Sequence, residues 1–300
     1  MSGKLGEIED RIAATHQLDA VIGAMRGIAA SRSHEAHARL AGIRAAAATA
    51  GAAIGEVLAF VPDRATAGDP ADGDTEDGGD VCIVVGTEQG FVGALDDELV
   101  AHARRRRDAR ERRWLLVGSR LGSVAAAQGI AGTSFAPMAA HPAGIPPLAR
   151  RLTDALYARI ADGPRATRVS VVGALPGEQR VRIAERTLVP FDLTRFEVSH
   201  RAEPPLVNLT PARLLTGLVE FYVFVELCEA LMLSFAAENE ARVRAMLAAR
   251  ANVQQRLATL TQRYRAMRQD EITSEIVELS TGGEAARRNG TRACARPVEP

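Results

Sequence analysis

"MLAARANVQQRLATLTQRYRAM", residues 246–267, places Met246, Arg250, Val253, Leu257, Leu260, Tyr264 and Met267 at alternating steps of four and three. That spacing is a heptad seam along one helix face, interrupted once by an arginine. Ile272, Ile276 and Leu279 extend it with a shift in phase. Thr210 can cap the helix, Pro211 suits its first turn, and no proline follows until Pro297. Gly282-Gly283 is the expected stop. About seventy helical residues span ~105 Å, far too long for a helix whose apolar seam lacks a partner.

The opposite end of the chain supplies one. Ile8, Ile12, Thr15, Leu18, Ile22, Met25 and Ala29 recur three or four residues apart. The pattern continues through the alanine-rich stretch 36–58, and no proline appears before Pro62. Some fifty residues make a second helix of ~80 Å. The economical arrangement is an antiparallel coiled coil of the first and last helices. On this reading Leu257→Asp or Leu260→Asp buries an unpaired charge in the seam and weakens it.

Between the helices the pattern changes. Residues 62–80, "PDRATAGDPADGDTEDGGD", have almost no apolar side chains and read as a solvated linker. Their aspartates lack the ligand order and terminal glutamate of a calcium loop. Apolar runs at Val81–Val85, Trp114–Val117 and Val169–Val172 then alternate with helical patterns at Gly93–Arg107 and Pro147–Ile160, and Val181–Leu188 suits an edge strand. Such alternation predicts an open, mostly parallel α/β sheet. The expected division is a first helix over 1–60, an acidic linker over 61–80, an α/β side domain over 81–205, a last helix over 206–283 and a disordered tail over 284–300.

The totals agree. Apolar residues make up 47% of the chain, aromatics only 4%, and alanine, the strongest helix former, is abundant. The 37 basic and 37 acidic side chains balance, which argues against nucleic acid as a partner. Cys82, Cys228 and Cys294 are odd in number, with neither zinc spacing nor a disulfide framework, as expected in a reducing cytosol. The most apolar stretch, 214–237, contains Glu220, Glu226 and Glu229 and reads as a buried helix face, not a membrane span.

No segment carries the marks of a catalytic site. In "VCIVVGTEQGFVGALDDEL", 81–99, Gly86, Gly90 and Gly93 punctuate a strand–turn–helix. The dinucleotide fingerprint needs its second glycine at 88, where Glu88 would repel a pyrophosphate. A tight βα corner is the favoured reading, with only a helix N-terminus left as a weak anion site. The arginines at 104–107, 110, 112 and 113 are flanked by acids and read as a solvated face. The six histidines form no ligand set, and Ser119 lies outside a nucleophile elbow. No cofactor, metal or catalytic residue is expected.

With those residues in place, both ends resemble the gamma subunit of F-type ATP synthases. "IEDRIAATHQLDAVIGAMRGIAASR", 8–32, is similar to the family's first helix through Ala24, Met25, Ile28, Ala29, Ala30, Ser31 and Arg32. The last helix is similar through Arg268, Gln269, Ile272, Thr273, Glu275, Ile276 and Glu278. The 81–99 stretch resembles the family's S-D-[RK]-G-L-[CA]-G-x-[LF]-N element, with Glu88-Gln89 replacing its Asp-Arg. Pro205-Leu206-Val207-Asn208-Leu209 stands where the family has Tyr-x-Tyr-Glu-Pro.

The resemblance implies a non-catalytic rotor shaft that couples ion flow to ATP synthesis or hydrolysis. Its implied partners are the alpha and beta subunits, the epsilon subunit and the c-ring, on the cytoplasmic side of the cell membrane, with membrane association only through the complex. It implies contacts with the alpha/beta hexamer at Met25, Arg242, Arg268, Gln269, Thr273 and Glu275, with steadying of the shaft as the alternative role of Arg242, Arg268, Gln269 and Thr273, and an outer face without large apolar anchors. The departures mark a divergent member and leave the coupling ion, proton or sodium, open. The competing readings are a coiled-coil scaffold without ATPase coupling and a nucleotide-dependent α/β enzyme.

Overall fold

The computed structural model describes residues 2–61, 80–105, 112–130, 134–161, 168–177, 180–200 and 205–293. Residues 62–79 of the expected linker and 294–300 of the expected tail lie outside them. The first helix, α1, runs Ser2–Leu58 and the last, α5, runs Pro211–Ala293. Between them come β1 (Asp80–Val85), α2 (Leu95–Arg105), β2 (Arg112–Val117), α3 (Ser119–Ala127), β3 (Ser134–Ala136), α4 (Ile145–Ala161), β4 (Arg168–Leu175) and β5 (Arg182–Val189). The strands form one sheet ordered β3-β2-β1-β4-β5. Its first four strands are parallel, and β5 pairs antiparallel at the edge.

Several bounds differ from the expected ones. The α5 helix does not stop at Gly282-Gly283 but continues to Ala293, so residues 284–293 are helical. Glycine costs a helix about 1 kcal/mol relative to alanine but adopts helical dihedrals freely, so a glycine pair permits a stop without imposing one. The α4 helix starts two residues before Pro147, because Pro146 and Pro147 occupy its first turn, where a missing N–H costs nothing. Two elements gave no sequence signal. The β3 strand has three residues, and α3 has nine with a glycine inside.

The chain divides into two units, residues 1–25 with 246–300 and residues 26–245. In the first, α1 and α5 pair antiparallel. Ile22, Met246 and Leu260 are buried, and the Tyr264 hydroxyl donates to Glu9. Leu18, expected in the seam, is 49% exposed. The seam passes instead through Asp19, whose Oδ1 accepts from Arg250 Nε at 3.1 Å. The arginine that interrupts the heptads is thus answered by a carboxylate on the facing helix. Leu260 is buried and Leu257 only partly so, and this ranks their substitutions. Leu260→Asp is expected to cost the helix pair about 2–4 kcal/mol and Leu257→Asp less than half of that. Amide exchange along α1 and α5 reads both, and equal effects would mean that the seam is misplaced.

The heptad extension does not pack inside the chain. Ile272, Ile276, Val277 and Leu279 are exposed, so the expectation of an outer face free of large apolar side chains does not hold here.

In the second unit the sheet is buried on both faces, which explains the unbroken apolar run of β1. One face carries Val81, Ile83, Leu115 and Val171 against Leu148 and Leu152 of α4, Leu227 and Leu231 of α5, and Ala36 and Leu40 of α1. The other carries Cys82, Val84, Leu116 and Val172 against Leu99 of α2 and Leu121 of α3. Here too the long helices run antiparallel, joined by Arg44–Glu229 and His37–Glu240 contacts of 2.9 Å. The apolar stretch of α5 is therefore a core face. No described helix is long and apolar enough to cross a membrane.

Candidate functional site

The turn after β1 is built around two internal carboxylates. Gly86 is buried, and only glycine fits there, because a Cβ would lie 2.6 Å from the Leu121 Cβ and 2.8 Å from Asp96 Oδ1. Thr87 donates to Asp96 through its N–H (3.0 Å) and hydroxyl (2.7 Å). Burial pushes the Asp96 carboxyl above its ordinary 3.8, opposed by those bonds and by Arg120. Glu88 accepts from the Ser119 N–H (3.0 Å), the Ser119 hydroxyl (2.5 Å) and the Met138 N–H (2.8 Å). Burial raises its carboxyl, but the three bonds outweigh that and hold it below 4.5.

These contacts decide what the turn can bind. The N–H at the start of α3, the natural seat for an anion, is occupied by Glu88. The first turn of α2 carries Asp96, Asp97 and Glu98, which repel a phosphate. Gly93 (φ +70°) and Phe91 (φ +63°) both have positive φ, and Phe91 projects 63% exposed. Gly90 has no close neighbour at its Cβ position; its carbonyl is what the structure uses.

The user of that carbonyl is Arg242 of α5. Its Nε donates to Gly90 O at 3.3 Å and its Nη2 to Gln89 O at 3.1 Å. The same guanidinium reaches Glu238 Oε1 at 2.6 Å and Asn239 Oδ1 at 3.2 Å. Burial pushes the Glu238 carboxyl up, and the Arg242 charge pulls it back only in part. Ser234 Oγ accepts from the Ala174 N–H at 3.1 Å, so α5 passes close to the end of β4 as well. In doubly wound sheets, ligands enter the crevice at the carboxyl ends of the strands where strand order reverses. Here a helix of the same chain lies beside that crevice and is bonded across it.

The expected contact residues therefore separate. Arg242, expected to contact the hexamer or to steady the shaft, is buried and bonded within its own unit. Met25 is partly buried in the other unit. Arg268, Gln269, Thr273 and Glu275 are exposed on α5, where Thr273 Oγ1 donates to Gln269 O at 2.8 Å. Sequence reasoning missed the link between Arg242 and the glycine turn some 150 residues away. The available signal was Glu238 and Arg242 at i, i+4 directly after a long apolar run. Among the described residues no group of histidine, cysteine, aspartate and glutamate could hold a metal ion.

A family described as ATP synthase matches residues 4–286. A Helicobacter pylori (strain G27) protein named ATP synthase gamma chain is 43% identical over 116 residues, 36% of this chain and 37% of its own length. One from Aliarcobacter butzleri (strain RM4018) is 33% identical over 111 residues, 36% of each chain. These alignments span little more than a third of the relatives. In fold, a chain of the Euglena gracilis mitochondrial ATP synthase (OSCP/F1/c-ring) matches with a TM-score of 0.66, 13% identity and full coverage of both chains. A chain of the Tetrahymena thermophila mitochondrial ATP synthase central stalk and c-ring matches with a TM-score of 0.54 and 17% identity, covering 76% of this chain and 99% of that one.

Proposed function

This chain belongs to the ATP synthase gamma family, and from that premise we propose that it is the central rotor shaft of an F-type ATP synthase. In this role it couples ion flow through a c-ring to ATP synthesis or hydrolysis in an alpha/beta hexamer and holds no catalytic residue itself. The observation that carries the reading is the Arg242 clamp. A side domain that must turn with a shaft has to be fastened to it, and a buried guanidinium of α5 binds two carbonyls of the side-domain turn.

Coupling needs contacts whose energies differ between shaft angles, since equal contacts shift nothing. Arg268, Gln269, Thr273 and Glu275, exposed on α5, and the partly buried Met25 are the residues assigned to the hexamer. Ile272, Ile276 and Leu279 await cover, and a surrounding collar of subunits supplies it. Of the two roles the resemblance gives Arg242, contact with the hexamer or steadying of the shaft, its burial and its bonds to the turn support the second. The epsilon subunit and the c-ring complete the partners, and attachment to the cytoplasmic face of the cell membrane runs through the c-ring.

The enzyme reading has less support, because carboxylates of the chain itself stand at the starts of α2 and α3. Reconstitution separates the readings. Co-expressed alpha and beta subunits are expected to form a hexamer that retains this chain and changes its ATPase rate when the chain is present. No complex, or an unchanged rate, defeats the rotor assignment and leaves the scaffold reading. Saturable binding of ATP or NAD to the chain alone, lost in Gly90→Val, would restore the enzyme reading.

A further inference from the structure

Beyond β5 the chain leaves the sheet and crosses both long helices of its unit. On α1 it lies in a groove made by two glycines. A Cβ on Gly55 would fall 2.2 Å from Glu197 O, and one on Gly51 would fall 3.1 Å from the Phe196 ring. Ser199 N–H donates to Gly55 O at 3.0 Å. On α5 the same segment packs Phe191 and Phe196 edge-on against Tyr222, with ring centroids 5.6 and 5.1 Å away. The two phenylalanine rings stack at 5.7 Å.

Arg195, from the middle of the segment, fills the space between the rings. Its guanidinium carbon lies 4.8, 5.0 and 4.6 Å from the centroids of Phe191, Phe196 and Tyr222. Its Nη1 is 3.2 Å from Oε1 of the buried Glu226. The other Glu226 oxygen, Oε2, is buried with no hydrogen-bond partner among the described residues, so Arg195 is the closest cation to this carboxylate. Arg186 stands farther off at 3.9 Å and spends its nearer contact, 3.0 Å, on Glu229.

We propose that residues 191–199 are a latch, locked by Arg195 in its three-ring cage, that fastens the end of α1 to α5 and opens as one piece. The physical reason is concentration. Asp192, Thr194 and Glu197 face solvent, and the segment has few backbone bonds to the helices. Phe191, Leu193, Phe196 and Val198 pack on the apolar cluster at the helix ends, and one cation, its side chain a third exposed, ties two of those rings to Tyr222 and to a buried carboxylate. Removing the charge loosens the two phenylalanine rings, Tyr222 and the Glu226 contact together, and Phe196 carries the change to the Gly51 groove of α1.

Hydrogen exchange on the full chain alone tests this. Arg195→Met keeps the length and apolar bulk but removes the charge. It is expected to speed exchange of the 193–199 amides by about 10-fold or more, with β1 and β4 unchanged. Arg195→Lys, which keeps a cation, is expected to stay within about 3-fold of wild type. Unchanged exchange in Arg195→Met, a rise spread evenly over the sheet, or equal loss in the lysine and methionine variants would each overturn the latch. No partner is needed, so failure here leaves the rotor proposal standing, and failed reconstitution leaves the latch standing.

Discussion

Arg242→Met is expected to cost the unit formed by residues 26–245 about 3–5 kcal/mol, the usual loss when one partner of a buried ion pair is removed. The guanidinium and the Glu238 side chain are each only 6% exposed, so water cannot take over the stranded carboxylate. Two carbonyls, of Gln89 and Gly90, lose their donor at the same time. The carboxylate escapes part of the penalty by taking up a proton. Its folded pKa then stands above the unfolded one, so the variant's stability falls as pH rises through the folded value, and the deficit grows with pH. Trp114, the only tryptophan, lies in β2 and reports urea unfolding of this unit directly. The double variant Glu238→Met with Arg242→Met is expected to recover most of the loss, because it removes both charges. A single-variant loss under about 1 kcal/mol would show that the clamp does not hold the turn.

Gly86→Val should be as damaging, for a steric reason. Even the first carbon of a side chain overlaps Leu121 and Asp96, and valine adds two more. Overpacking costs about 1–3 kcal/mol, and pushing the buried Asp96 carboxylate away from Thr87 adds about 1–3 kcal/mol. Gly90→Val is the internal control. Its Cβ position meets only the Arg120 guanidinium at 3.8–4.0 Å, an ordinary contact, so the expected change is within about 1 kcal/mol. Thermal unfolding without any ligand compares the two. Equal losses would mean that close approach to Leu121 and Asp96 does not set the cost at 86.

Much of this was legible beforehand. Periodicity located both long helices and the four main strands, because burial of one helix face or of a parallel strand writes itself into residue order. The resemblance of the two ends to the gamma family rested on Met25 and its neighbours and on the run from Arg268 to Glu278. Leu18 shows where pattern reading fails. Thr15, Leu18 and Ile22 fit a seam as well as Thr15, Asp19 and Ile22 do, and only the facing Arg250 selects the second. Arg242 shows a different limit. The resemblance gives it a contact with the hexamer or a part in steadying the shaft, and only the fold brings a distant turn over its guanidinium.

By itself, the sequence determined the element types, the coiled-coil ends, the α/β insert and the family, since these depend on local spacing and on short runs of residues. Only the tertiary structure decided which polar groups are spent inside the molecule. Glu88 lies on α3, Asp96 under Thr87, Arg242 on the glycine turn and Arg195 within three rings. Each pairing joins residues from separate elements, and the strength of each depends on burial. Burial is a property of the assembled fold and not of any stretch of chain.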